Sequence, residues 1–239
     1  MSGHSHWHSI KYKKGLADAK KSKSFSKITR ELIITAREGG GDINFNPKLR
    51  MVIDKARSFN MPADNIERAI KKGAGELEEV NLQEITLEAY GPEGIAVIIE
   101  GITDNKNRSF GEIKQIINQN GGKLVNEGAV RWMFERKGVI TVENPEINKE
   151  DLEMTAIEAG AEDVHWHSEE NVLDIYTKPE NIEKTKKYLE GKDIKISASS
   201  LDWVAKEKVK AKKKESCQKL FEALDENDAV QEIYSNLED

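Results

Sequence analysis

The residues of this chain best suited to chemistry are cations interleaved with aromatic rings near its start. Trp7 and Tyr12 stand among Lys11, Lys13 and Lys14, and Lys20, Lys21, Lys23, Lys27, Arg30, Arg37, Lys48 and Arg50 follow. Ammonium and guanidinium groups neutralise phosphates, and flat rings give bases a surface to stack on, so this mixture is the chemistry of nucleic-acid binding. Lys20, Lys21 and Lys23 approach the N-terminal end of a helix predicted from Ser24 to Glu38. Cations there oppose the helix dipole, so helix stability does not explain them. Helical spacing sets Lys27, Arg30 and Arg37 opposite Phe25, Ile28 and Leu32. Lys71 and Lys72 suit the C-terminal end of a later helix and carry less functional weight. The bland alternative is a solvated charged surface, which is also the reading of Lys206, Lys208, Lys210 and Lys212 to Lys214.

Other polar clusters are less specific. The five histidines alternate, His4, His6 and His8 in the N-terminal arm and His165 and His167 in a predicted strand. Alternation puts His165 and His167 on one strand face, where two imidazoles could share a metal. No cysteine lies near them and no carboxylate has helical ligand spacing, so no metal site is expected. Gly39-Gly40-Gly41 follows a helix, whereas a phosphate loop opens one, so these glycines read as a C-cap and hinge. The loop Asp104-Asn105-Lys106-Asn107-Arg108-Ser109 reads as a turn into a helix, with Asn105, Asn107 and Arg108 as its candidate contacts for RNA or protein. There is no serine elbow, zinc-protease helix or nucleotide fingerprint. Cys217 falls on the apolar face of a predicted helix, so the chain is expected to be no enzyme and to need no cofactor.

The elements that must position these residues follow from the period of the apolar side chains. Residues 1 to about 15 have no period and read as an arm. Helices are predicted from Ser24, from Asn46-Pro47, where asparagine caps and proline opens the helix, and from Pro62 to Gly73. Past Gly73 the period becomes strand-like. Ile85 to Tyr90 and Ile95 to Ile102 flank the turn Gly91-Pro92-Glu93-Gly94 as a hairpin, followed by a helix through Phe110 and Ile117 and a strand from Val130 to Phe134. Residues 138 to 198 then read as strand (Val139 to Val142), helix, strand (Val164 to Trp166), strand (Val172 to Tyr176), helix and strand (Ile194 to Ser197). This is the βαββαβ, or ferredoxin-like, order. A last helix carries Cys217, Leu220, Phe221 and Leu224, and a last strand runs from Val230 to Tyr234. The expected fold is α+β, an N-terminal helical domain plus two ferredoxin-like α/β domains, the third inserted in the second. The expected boundaries are 1–78 for the arm and helical bundle, 79–136 with 205–239 for the second domain, and 137–204 for the inserted one.

Charge divides along the same line. The first 72 of 239 residues carry 16 Lys+Arg against 7 Asp+Glu, and the remainder 21 against 36. A basic module joined to an acidic body concentrates polyanions at one end only. Of the excess, +7 lies within residues 1–30. A single cysteine fits a reducing compartment, the longest apolar run, Ile95 to Ile99, is far too short to span a membrane, and the N-terminus has no apolar core of the signal-peptide kind. A cytoplasmic protein without membrane contact is expected.

The motifs themselves carry a resemblance. Gly3-His4-Ser5, Trp7, Asp18-Ala19-Lys20, Arg30-Glu31-Leu32, Ala36-Arg37-Glu38-Gly39-Gly40-Gly41-Asp42, Asn46-Pro47-Lys48-Leu49-Arg50, Asn60-Met61-Pro62 and Asp64 to Gly73 resemble the YebC/PmpR family. So do Tyr90-Gly91-Pro92, Asp104-Asn105, Asn107-Arg108, Trp132-Met133-Phe134 and Gly160 to Val164. The resemblance implies a helical domain and two α/β domains, the third inserted into the second. It also implies a regulator of gene expression. Members are labelled probable transcriptional regulators that bind DNA, while others act in translation, one as a mitochondrial translational activator and others on ribosomes stalled at proline runs. His6, His8, Ser9, Tyr12, Ala89, Glu93 and Lys106 depart from the usual pattern, Ala89 and Glu93 at positions usually held by glycine. On physical grounds the expected partner is ribosomal RNA or the ribosome, because no predicted helix presents the row of Asn, Gln and Arg that base readout in DNA needs. Duplex DNA is the alternative, and the acidic α/β domains are expected to orient the basic module or to hold a protein partner.

Overall fold

The helical period of the first segment becomes three helices, α1 (Asp18–Gly39), α2 (Pro47–Ser58) and α3 (Ala63–Gly73). In this computed structural model the described residues are 18–78, 80–143, 145, 147–167 and 171–238. α1 starts before the expected Ser24. The added turns contain lysine and alanine, which favour a helix without leaving an apolar period to read. Asn46 caps α2 through its side-chain oxygen, which accepts the Leu49 amide at 3.0 Å, and Pro47 takes the first helical position. Ile28, Leu32, Ile33 and Ala36 of α1 pack with Leu49, Val52, Ile53 and Ala56 of α2 and Ile66 and Ala69 of α3. α3 approaches α1 at Gly73, where a Cβ would stand 2.3 Å from the Ile33 carbonyl oxygen. Only glycine fits that crossing.

The strand-like segment builds a four-stranded antiparallel sheet from β1 (Gln83–Tyr90), β2 (Ala96–Thr103), β3 (Lys123–Val125) and β8 (Val230–Ser235), in the order β3-β1-β2-β8. Helix α4 (Lys106–Gln119) joins β2 to β3, and α7 (Lys214–Asp225) precedes β8. Val97 and Ile99 pack with Ile113 and Ile117 of α4 and with Cys217, Leu220, Phe221 and Leu224 of α7. Ile98, on the other face of β2, is also completely buried. This explains the unbroken apolar run at 95–99, since a strand covered on both faces loses its alternation. The hairpin turn holds Glu93 at φ 60°, ψ 12°, a left-handed conformation that favours glycine. Glycine is what the family resemblance leads one to expect there, and this chain has Glu93.

Between β3 and α7 the chain makes a second four-stranded antiparallel sheet. Its elements are β4 (Phe134–Glu143), α5 (Lys149–Glu158), β5 (Asp163–His167), β6 (Val172–Thr177), α6 (Ile182–Glu190) and β7 (Ala198–Ala205), with strand order β5-β6-β4-β7. That is the split βαβ arrangement expected from the chain order. Residues 134–207 form one compact unit, and the other described residues form the second.

Three expected strands move. Val130 to Phe134 is instead a 3-10 turn at Arg131–Met133, and Phe134 opens the ten-residue β4, which absorbs the expected strand at 139–142. The strand that completes the first sheet is β3, three residues long and too short to show a period. The last strand of the inserted unit is β7, not 194–197, because Ser199, Ser200 and Asp202 hid its alternation.

Two kinds of electrostatic contact organise the unit outside residues 134–207. Lys27, on α1, is 6% exposed and places its ammonium 2.9 Å from Asp225 Oδ1 and 2.8 Å from the Asp225 carbonyl oxygen, at the end of α7. Lys55 of α2 adds a bridge to Glu31 at 2.9 Å and to Glu232 of β8 at 2.8 Å. Together they fix the helical bundle against the sheet. The second contact is Glu88 of β1. Its buried carboxylate accepts the amides of Gly128 (2.7 Å), Val130 (2.8 Å) and Arg131 (3.0 Å). Burial pushes its acidity down, but these three donors and the Arg131 charge outweigh that effect and hold the carboxyl below the usual range.

Removing Lys27 takes away charge-assisted bonds to Asp225, whose carboxylate keeps partial contact with water. Lys27→Ala is therefore expected to destabilise the chain by about 1.5 to 3 kcal/mol in urea unfolding, whereas Lys23→Ala, at a more exposed pair, costs less than about 1 kcal/mol. Glu88→Gln should cost about 2 kcal/mol at neutral pH. Because the folded state holds Glu88 at a depressed pKa, its contribution is complete above the unfolded value of about 4.3 and is lost as pH falls through the lower folded value. The difference between wild type and Glu88→Gln should therefore shrink in urea titrations run at progressively more acidic pH below about 4.3.

Candidate nucleic-acid interface

The cations of the basic module divide into those the fold uses and those at its ends. Lys23, Lys27 and Arg30 recur at helical spacing on α1 and so form one stripe. That stripe meets the acidic turn after α7. Lys23 lies 2.9 Å from the Glu226 carboxylate, Lys27 pairs with Asp225, and an Arg30 amino group donates to the Asp228 carbonyl oxygen. The expectation that Lys27 lies on the solvent face of α1 is corrected by this arrangement. The face opposite Phe25 and Ile28 is covered by the 225–228 turn, a contact from a part of the chain about 200 residues away that local period cannot show.

The remaining cations sit at the far end of α1 and the start of α2. Arg37 is exposed and donates through Nη2 to the Leu82 carbonyl oxygen at 2.7 Å. Lys48 lies 3.3 Å from Glu38 and 3.7 Å from Glu84, all three about half-exposed. Arg50 donates to the carbonyl oxygens of Ile43 and Asn44. Trp7, Lys11, Tyr12, Lys13 and Lys14 lie outside the described residues, as do His4, His6 and His8. Lys20 and Lys21 are described only as backbone of α1.

The loop between α1 and α2 joins these cations, and sequence reasoning assigned it only hinge glycines. Gly40 takes φ +82°, and a Cβ at Gly39 would stand 2.5 Å from Asn46 Nδ2. Asn46 itself is buried and donates to the carbonyl oxygens of Thr35 (3.0 Å) and Gly40 (2.8 Å). The loop holds Phe45 at 83% exposure with Ile43 beside it at 46%. A search for charge and turn residues passes over an aromatic in a loop, and its exposure is visible only in three dimensions. Trp132, 65% exposed and adjoining the segment that Glu88 holds, was likewise read only as part of a motif.

The Asp104 to Ser109 loop is the entry to α4. Asn105 caps the helix by accepting the Arg108 amide at 3.1 Å, Thr103 and Ser109 share a buried hydroxyl bond of 2.7 Å, and Arg108 pairs with Asp104 at 2.5 Å. Asn107 lies in the first turn. A cleft of about 380 Å³ opens there, bounded by Arg30 and Arg108 but also by Asp104, Glu112, Glu226 and Asp228. Four carboxylates against two guanidiniums make it a poor receptor for phosphate.

In the inserted unit the ring of His167 places Nε2 2.9 Å from Asp174 Oδ2, whose other oxygen accepts the Thr141 hydroxyl at 2.7 Å, and His165 stands edge-on to His167 at 4.8 Å. Among the described residues no three His, Cys, Asp or Glu side chains are placed to hold a metal ion. Burial, followed by the Glu93 charge, pushes the Cys217 thiol up, away from the nucleophilic thiolate. No helix among the described residues is long and apolar enough to cross a membrane.

Comparison with known proteins covers the chain end to end. Residues 5–76 match the model of the TACO1/YebC protein N-terminal domain, and residues 82–237 match that of the TACO1/YebC second and third domain. A probable transcriptional regulatory protein of Persephonella marina is 46% identical over 100% of this chain and 96% of its own length. A protein of the same description from Thermotoga petrophila is 47% identical over 100% of this chain and 94% of its own. The crystal structure of a conserved hypothetical protein from Aquifex aeolicus superposes with a TM-score of 0.89 at 43% identity, covering 98% of this chain and 97% of that one. The two domain models together span nearly the whole chain, the relatives match it over its full length, and the motifs from Gly3 to Val164 are of the same kind: the chain belongs to the TACO1/YebC family.

Proposed function

We propose that this chain is a non-enzymatic regulator of gene expression that binds nucleic acid through residues 1–50, and that its target is folded RNA on the ribosome. The observation that carries the reading is the charge division, +9 in the first 72 residues against −15 in the rest. A polyanion is attracted to the basic module and repelled by the acidic body. In this reading the phosphate contacts come from Lys11, Lys13, Lys14, Lys20 and Lys21 at one end of α1 and from Arg37, Lys48 and Arg50 at the other, with Trp7 and Tyr12 as stacking rings. Lys23, Lys27 and Arg30 serve docking of the bundle. Asn105, Asn107 and Arg108 frame a helix entry, and the acidic domains, with divisions near residues 78, 136 and 205, orient the bundle or hold a protein partner.

The relatives' description as probable transcriptional regulatory proteins supports regulation of gene expression and favours a second reading, in which the target is duplex DNA. Against it, the cations of α2 and α3 are partly met by carboxylates, Arg57 near Asp54 and Lys71 paired to Glu67, which leaves Asn65 and Arg68, exposed one turn apart on α3, as the base-reading types there.

Binding to ribosomes, ribosomal RNA and duplex DNA, measured in parallel across a salt series, separates the two. The RNA reading predicts tighter binding to ribosomes and ribosomal RNA, and tighter binding to the duplex would overturn it in favour of DNA. Replacing Lys20, Lys21 and Lys48 by Ala should weaken binding to every sequence and flatten the slope of log K against log salt by roughly 0.7 to 0.9 per lost contact. An unchanged slope would remove these three from the interface.

A further inference from the structure

We propose that the 40–46 loop is a preformed stacking knuckle and that the ring of Phe45 takes an unpaired base of RNA. The inference rests on the nucleic-acid reading above and deepens it, naming a contact made by stacking and not by charge.

A single exposed apolar side chain ordinarily needs no explanation. Phe45 differs in the support beneath it. It is the most exposed large apolar side chain among the described residues, yet the backbone that carries it is tied at each step. The Asp42 carbonyl oxygen accepts the amides of Phe45 (3.2 Å) and Asn46 (3.0 Å). Asp42 Oδ1 accepts Asn44 through both its backbone amide (2.8 Å) and its side-chain amide (3.0 Å). Arg50 grips the carbonyls of Ile43 and Asn44, and buried Asn46 anchors the loop to the end of α1. A loop so held, ending in an outward ring, is ordered before any partner arrives, so binding does not bear the entropy of ordering it.

The surroundings favour a base over a protein surface. A protein hot spot is a contiguous apolar patch ringed by polar groups, whereas in this loop the exposed large apolar side chains among the described residues are Phe45 and Ile43, with Lys48 and Arg50 following in the chain. The Lys48 pairs with Glu38 and Glu84 are long and about half-exposed. Pairs of that kind are weak, and a phosphate can replace the carboxylates. One ring with cations nearby is the pattern by which proteins hold single-stranded bases, stacking on the π-face while the charges follow the backbone. Folded RNA offers such bases in its loops, while a duplex keeps its own stacked inside.

The test uses the full chain and an RNA hairpin carrying 2-aminopurine in its loop, with a 2-aminopurine duplex DNA as comparison. Phe45→Ala should lower RNA affinity by roughly 5- to 150-fold, abolish the fluorescence change that stacking produces, and leave both the salt slope and the melting temperature unaltered. Phe45→Tyr should restore binding, and Phe45→Leu should not. If wild type binds RNA with a clear salt slope and Phe45→Ala binds equally well, this inference fails while the proposed function stands. If Phe45→Leu matches wild type, the contact is apolar and not stacking, and the inference is overturned. If the Phe45→Ala loss appears on duplex DNA alone, the choice of RNA is overturned. If wild type binds no RNA at all, the functional reading fails and takes this inference with it.

Discussion

The buried contact between Lys27 and Asp225 is the constraint on which the placement of the basic module depends. An ammonium taken out of water is costly unless an anion and further acceptors meet it, and here the acidic turn after α7 supplies both. Lys23 and Arg30, one turn to either side, meet Glu226 and Asp228 of the same turn. The stripe therefore fixes which face of α1 is turned inward, and Lys55 repeats the arrangement from α2 to β8. The bundle is thus set on the α/β sheet by charge as well as by the apolar core, whose cluster includes Leu82 and Ile102 from the sheet region. The consequence for function is a redistribution. Lys23, Lys27 and Arg30 serve the docking of the bundle, while Lys48, about half-exposed beside Glu38 and Glu84, stays open to water.

Charge buried inside the fold and charge displayed outside do separate work. Glu88 draws three backbone amides of residues 128–131 to one carboxylate. In the inserted unit, Asp174 gathers Thr141 and His167 on neighbouring strands. These inward carboxylates set register, since a misplaced strand would leave them without donors in a low-dielectric interior. The outward carboxylates of the body repel a polyanion. In the proposed reading, nucleic acid therefore meets the basic module and not the acidic domains, with the start of α1 and the loop at Phe45 as its contacts.

Much of this was legible in the sequence where local physics decided the outcome. The Asn46-Pro47 cap, the turn at 91–94 and the Gly73 stop are set by nearest neighbours, and the structure keeps them. The βαββαβ order of the inserted unit followed from period alone. What failed was governed by distance along the chain or by shortness. Lys27 looked like a surface cation because its partner stands some 200 residues away. Nothing local to Glu88 announces the 128–131 loop that covers its carboxylate. β3 has three residues, and β7 puts Ser200 and Asp202 in the same alternate series as buried Val204, so neither shows the expected pattern. For the candidate site, the sequence located the basic residues. It could not tell docking cations from displayed ones.

The central claim is that nucleic acid meets the basic module at its two ends and avoids the acidic body. Photo-crosslinking of the full chain to ribosomes, with the attached peptides identified by mass spectrometry, tests it most directly. The account predicts crosslinks to peptides containing Trp7 to Lys21 and Phe45, and none to residues 134–207. Crosslinks concentrated in the inserted unit, or on the 225–228 turn, would contradict it.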